Sequence, residues 1–259
     1  MRTVYIGIQK IILGLIYFLS LSSSPALEPG DIIINEVYFS PKGRGPGHFE
    51  AVELLVVADK ANLNGLQISD RDTWNKATED QCTLNDLGQG FLNSVRSGTL
   101  IVIYDGSGTD DTNTNNFVLR FYTQSSLFCN TSPTTNGFSL SNRGDNLHLM
   151  HLNKQIDFVK YRPAGSTGPG HGNPGGLYWD QGVESYIEVD ADGGSTGFRF
   201  LGNKAELNDY PAAWQAYPEK YTKLDNLGKP NGGINTEWIT RLREQSLTGT
   251  NTIVQQEEQ

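Results

Sequence analysis

Cysteine, methionine, histidine and charge are all scarce in this sequence. Its 259 residues include two cysteines, two methionines and four histidines, and only 19% are charged. No CxxC pair occurs, so neither a zinc ribbon nor a thioredoxin-like redox site is indicated, because both need closely spaced thiols. After residue 26 no apolar run approaches the about 20 residues that a spanning helix needs. Basic residues are outnumbered by acidic ones, 20 to 29, giving a formal charge of −9. Such a chain repels phosphate backbones, which makes nucleic acid a poor partner. A cationic ligand, a divalent ion or an uncharged polymer is less disfavoured.

What is abundant is turn-forming: 29 glycines and 11 prolines. Tight turns demand a positive φ or a fixed one, so this composition suits an all-β chain with many short connections. Polarity comes from Asn, Thr, Ser and Gln rather than from charge. The first 26 residues read as a secretory signal. Arg2 and Lys10 make a positive start, residues 11–21 (IILGLIYFLSL) form an apolar core, and Ser24 and Ala26 supply small residues for cleavage after Ala26. The mature chain then starts at Leu27, is two units more negative, and carries no membrane span. Both cysteines, Cys82 and Cys129, lie beyond the signal. In an oxidising compartment they are expected to pair, closing a loop of about 46 residues that stabilises by roughly 4 kcal/mol in the chain-entropy description.

Extended segments recur along the chain, and long helical periodicity is almost absent. Residues 31–39 (DIIINEVYF), 48–57 (HFEAVELLVV), 63–68 (LNGLQI), 99–104 (TLIVIY) and 117–122 (FVLRFY) read as strands. Residues 147–150 and 156–161 read as a hairpin with Asn153 and Lys154 at its turn. Weaker strands are expected at 186–189 and 198–201. Residues 70–90, 105–116 and 163–176 read as long loops, the first carrying Trp74 and Cys82. Seven to nine strands without βαβ alternation argue for an all-β sandwich or barrel. One domain is expected over 27–235. The tail, 236–259, is expected to hold a short helix with Trp238, Ile239 and Leu242 on one face, then a polar end.

The order and wording of five segments resemble the lamin-tail domain, an immunoglobulin-like β-sandwich found in nuclear lamins and in secreted bacterial proteins. The first is Ile34, Asn35, Glu36 and Val37, and the second is residues 50–54 (EAVEL). The third is residues 63–70 (LNGLQISD), the fourth 140–149 (LSNRGDNLHL) and the fifth 156–161 (IDFVKY). The resemblance runs over about residues 30–161 and fades toward Lys229, Pro230, Asn231 and Gly232, where the family's closing Pro-Gly pattern is altered. It implies an immunoglobulin-like fold and no catalytic residues. The motifs also have a physical reading. Gly65 and Gly144 fall where turns need a residue without Cβ. Asn142 and Asp145 can accept backbone N–H groups at a turn, and Asp157 can satisfy donors of a neighbouring loop.

Catalytic signatures do not assemble. Residues 193–197 (GGSTG) fit a nucleophile elbow, but no histidine follows Ser195, the last being His171. Residues 170–175 (GHGNPG) fit G-x-G-x-x-G, yet no strand precedes them and Pro174 stands where a helix should begin. Arg143, Gly144 and Asp145 spell an adhesion tripeptide that turn chemistry already explains. His148 and His151 are three apart and point to opposite faces of a strand, so they cannot share a metal. The acidic loops with Asp105, Asp110 and Asp111, and with Asp190 and Asp192, offer hard oxygen ligands suited to calcium, without an EF-hand pattern. Asn130 begins a glycosylation sequon, meaningful in a eukaryotic host.

The sequence therefore points to a secreted or cell-surface, non-enzymatic interaction or structural module without a cofactor. Its partner would be an extracellular protein or carbohydrate. The alternative is a secreted hydrolase or nuclease, or an accessory domain of one, with an acidic metal site on its loops. Convergence of Asp105, Asp110, Asp190 and His171 would favour that alternative.

Overall fold

The computed structural model describes residues 26–39, 50–70, 81–127, 140, 145–163, 187–189, 197–217 and 226–249. Among them are eleven strands and one α-helix. The strands are β1 (Ile32–Tyr38), β2 (Ala51–Val56), β3 (Leu66–Ser69), β4 (Gln81–Thr83), β5 (Leu100–Tyr104), β6 (Val118–Tyr122), β7 (Asp145–His151), β8 (Lys154–Pro163), β9 (Ile187–Val189), β10 (Gly197–Phe200) and β11 (Trp214–Ala216). The helix, α1, spans Gly233–Thr248.

Two sheets pack together as a sandwich. One has six strands in the order β11-β10-β1-β2-β5-β6, and the other five in the order β4-β3-β7-β8-β9. Pairing is antiparallel except for β5 with β6 and β8 with β9. The Val-, Ile- and Leu-rich strands β1, β2 and β5 are central in the larger sheet, where both faces are covered, so they read as continuous apolar runs instead of alternating ones. Ile32, Ile34, Leu54, Leu55 and Ile101 are fully buried there. Aromatic rings bridge the two layers. Phe39 stacks on Tyr161 at 4.9 Å between centroids, and Tyr161 meets Phe198 at 5.1 Å.

The strong apolar runs fold as expected, and the β7–β8 hairpin is present. Its turn is one residue earlier than expected: Leu152 and Asn153 take the positive φ values of 49° and 65°, and Lys154 already belongs to β8. The strand count exceeds the expected seven to nine because β4 and β11 are three-residue strands. They are too short for a hydrophobic pattern and are held by edge pairing to β3 and β10. Cys82 therefore lies buried in a strand and not in a long loop.

The helix is longer than the expected tail segment and caps the sandwich. Trp238, Ile239 and Leu242 belong to the main core, and Trp238 meets Phe200 edge-on at 6.3 Å. Ser97 Oγ donates to the Leu242 carbonyl at 3.0 Å, Ser246 Oγ to Asp59 at 3.0 Å, and Arg243 Nε to the Gly98 carbonyl at 2.9 Å. The Arg96 and Arg243 guanidiniums lie 4.2 and 5.4 Å from the centre of the Phe117 ring. Among the described residues no helix is long and apolar enough to cross a membrane.

Candidate functional site: a buried carboxylate seam

The least ordinary chemistry lies in β1. Ile34 faces Leu54 and Glu36 faces Glu53, so Asn35 is an extra residue, a β-bulge. A bulge disrupts the ladder locally, and buried backbone groups freed there need other partners. Ile34 N–H donates to Asp157 Oδ2 of the opposite sheet at 2.6 Å. The Ile34 carbonyl accepts from Asn208 Nδ2 at 2.7 Å, and the Asn35 carbonyl from Asn231 Nδ2 at 3.1 Å. Asn231 Nδ2 also donates to the Phe200 carbonyl at 3.0 Å, while its own N–H donates to Asn235 Oδ1 at 2.9 Å. These side chains fasten the bulge to β8, β10 and the start of α1.

The bulge sets Glu36 directly across from Glu53, and strand alternation puts both on the outer face of the six-stranded sheet. The pairing registers continue this row as Gln215, Arg199, Glu36, Glu53, Val102 and Arg120, one residue per strand. Both glutamates are 0% exposed. Glu36 accepts from Tyr217 Oη at 2.5 Å and Asn226 Nδ2 at 3.1 Å. Glu53 accepts from Asn35 Nδ2 at 2.7 Å and from Gly228 N–H at 2.5 Å. Tyr217 also stacks on Tyr38 at 5.0 Å. The chain around 217 and 226–231 is thus held over the sheet by the two carboxyls.

Burial pushes Glu36 above the usual carboxylate range, against the hydrogen bonds it accepts and the charge of Arg199. It pushes Glu53 well above, and the negative charge of Glu36 adds to this. Two adjacent buried carboxyls titrate as a pair, and ionising both is strongly disfavoured. Asp157 is raised to about 7 by burial, in spite of the Ile34 and Phe158 N–H groups it accepts from. Glu50 is raised to about 8 by burial, opposed by its hydrogen bond from Leu140 N–H and reinforced by Asp105, Asp70 and Asp145.

Of the acidic candidates from the sequence, Asp105, Asp110 and Asp111 lie among the described residues, each bonded to β6 or to Thr123 just after it. Asp105 Oδ1 accepts from Thr123 Oγ1 at 3.0 Å, and Asp110 Oδ1 from Tyr122 N–H at 3.0 Å. Asp111 accepts from Asn113 N–H and pairs with Arg120 at 3.3 Å. Each of these aspartates thus has an oxygen engaged in fixing its own loop. Among the described residues no group of three or more His, Cys, Asp or Glu is arranged to hold a metal ion. His148 ring Nδ1 lies 3.4 Å from Gln155 Oε1, and His151 contacts Leu27 and Asn64. Asp145 is buried at the start of β7, its Oδ1 accepting from Asn146 N–H. Cys129, Asn130, Arg143, His171, Asp190, Asp192 and Ser195 lie outside the described residues.

Sequence reasoning passed over Glu36 and Glu53 as chemistry. The available signal was a glutamate inside each of two strongly apolar strands, where an unpaired charge is costly. Compared with protein families, curated proteins and solved structures, the chain matches none.

Proposed function

We propose that the protein is a secreted, non-catalytic interaction or structural module, a lamin-tail-like domain of the immunoglobulin-like type that displays binding loops on a rigid frame. The observation that carries this reading is the state of its buried acids. All four oxygens of Glu36 and Glu53 accept hydrogen bonds from the chain's own donors, and both side chains are sealed from solvent. A general acid or base must reach the substrate proton, within hydrogen-bond distance or through one water. These two carboxyls instead fasten chain segments to the sheet. The two-sheet sandwich is the architecture expected of such a module, whose recognition surface lies in its loops. The proposed partner is an extracellular protein or an uncharged carbohydrate polymer, in keeping with the acidic chain.

The test is a two-armed assay of the secreted protein. Saturable binding to an immobilised carbohydrate polymer or extracellular matrix protein, with no turnover of ester, peptide or nucleic-acid substrates with or without divalent ions, supports the module. Turnover that is abolished by Ser195→Ala or His171→Ala overturns it in favour of a hydrolase.

A further inference from the structure

Leu27 is buried between two exposed neighbours, Ala26 and Glu28. The leucine side chain is 3% exposed and belongs to the main core. Its backbone nitrogen donates to His151 Nδ1 at 3.2 Å in a buried contact. The other ring nitrogen, Nε2, lies 3.1 Å from the Asn64 carbonyl oxygen. A backbone N–H only donates and a carbonyl only accepts, so the two partners together select the tautomer with the proton on Nε2. Nδ1 is thereby left as an acceptor aimed at the nitrogen of Leu27.

The acceptor is firmly mounted. His151 ends β7, facing Leu66 of β3 and Lys154 of β8. Asn64 is tied to Asp86, accepting from its N–H at 3.0 Å and donating to Oδ2 at 3.3 Å. Asp86 in turn accepts from Gly88 and Leu92 N–H groups. Beyond Leu27 the chain is pinned as well, because Glu28 N–H donates to Asp31 Oδ2 at 2.8 Å and Lys154 Nζ pairs with the Glu28 carboxylate.

The cleavage point expected from the leader, between Ala26 and Leu27, falls directly before the residue whose side chain enters the core. We infer that processing delivers the new α-amine of Leu27 into a buried amine-binding site built by His151, so that the mature N-terminus is a docked, structural part of the domain. The inference rests on the reading of the chain as secreted and processed. Cleavage breaks the Ala26–Leu27 peptide bond by addition of water and leaves an amine where the amide nitrogen was. The amine retains a donor for Nδ1 and keeps the leucine side chain anchored.

The experiment expresses the full chain in a secreting host, sequences the N-terminus of the secreted protein, and measures the acylation rate of its α-amine by acetic anhydride. The rate is compared for folded protein and for the same protein unfolded in urea. A sequence starting at Leu27 and an amine labelled about tenfold or more slowly in the folded state are expected, since a docked amine reacts only through local opening. His151→Gln should bring the folded rate toward the unfolded one, with circular dichroism reporting its fold. If that variant does not fold, the ratio measured on the unaltered protein decides. An intact Met1 would refute secretion and processing. A start at another residue would overturn the docking site while leaving secretion standing, and so would a Leu27 amine that reacts equally fast in both states.

Discussion

Glu36 and Glu53 stand opposite one another on adjacent strands, and neither side chain has any solvent exposure. Burying two like-charged acids side by side is costly unless protons and hydrogen bonds compensate. Here Tyr217, Asn226, Asn35 and the Gly228 amide supply the hydrogen bonds, and the raised proton affinity of both groups supplies the rest. The pair exists because the Asn35 bulge offsets the β1 register by one residue.

Asn231 connects that bulge to the helix. Replacing it with Ala leaves the Asn35 and Phe200 carbonyls without its amide. Each buried unsatisfied group costs about 1–3 kcal/mol. Asn231→Ala is therefore expected to lower unfolding free energy by roughly 2 kcal/mol or more in urea titration, with little change at an exposed control such as Lys60→Ala.

Gly98 fixes the seat of α1. Its φ is +78°, and a Cβ there would lie 2.6 Å from Arg243 Cγ and 2.9 Å from the Arg243 backbone nitrogen. Gly98→Ala combines backbone strain with a clash against helix backbone, so a loss of about 2 kcal/mol or more is expected. Hydrogen exchange should rise first along Gly233–Thr248, the segment pushed outward.

Much of the frame was legible in the sequence. Runs such as Leu100–Tyr104 state their burial directly because both faces of a central strand are apolar. The face formed by Trp238, Ile239 and Leu242 was legible too, since helical spacing marks one side. Gln81–Thr83 and Trp214–Ala216 were not, because three residues carry no period and their pairing partners are distant in sequence. The carboxylate seam was hidden for a related reason. Its meaning depends on a bulge, and the Asn208 and Asn231 amides that complete it come from more than 170 positions away. Asp157 was read as a loop partner, whereas its oxygen reaches the N–H of Ile34 in a strand of the other sheet.

Cys82 is buried in β4, and its proposed bond to Cys129 is open to a direct check. Proteolytic digestion without reduction should release one joined peptide containing both cysteines. Cys82→Ser is expected to lower stability by roughly 4 kcal/mol, the chain-entropy value for such a loop. Two alkylatable thiols in native protein would contradict the pairing.

Asp105, Asp110 and Asp111 have oxygens engaged by Thr123, Tyr122 and Arg120. An ion that bound the folded state would raise its melting temperature by mass action. The expected result is an unchanged melting temperature on adding calcium at about millimolar concentration. A rise that disappears in Asp110→Asn would assign the loop to calcium.

Burial raises the proton affinity of Glu36, Glu53, Glu50 and Asp157 in the folded protein, and the dependence of stability on pH reads this out. A carboxyl whose pKa is raised on folding binds more protons in the folded state, so stability falls as pH climbs from the unfolded value toward the folded one. Glu50 and Asp157 place that window between the ordinary carboxylate range and about 8 and 7 respectively, and the glutamate pair acts in the same direction. Each such carboxyl lowers stability by about 1.4 kcal/mol per pH unit within its window. Urea unfolding should therefore give a higher free energy at about pH 5 than at about pH 8, and Glu53→Gln should flatten the slope. Stability that is flat or rises from pH 5 to pH 8 would show that folding does not raise the proton affinity of these carboxyls.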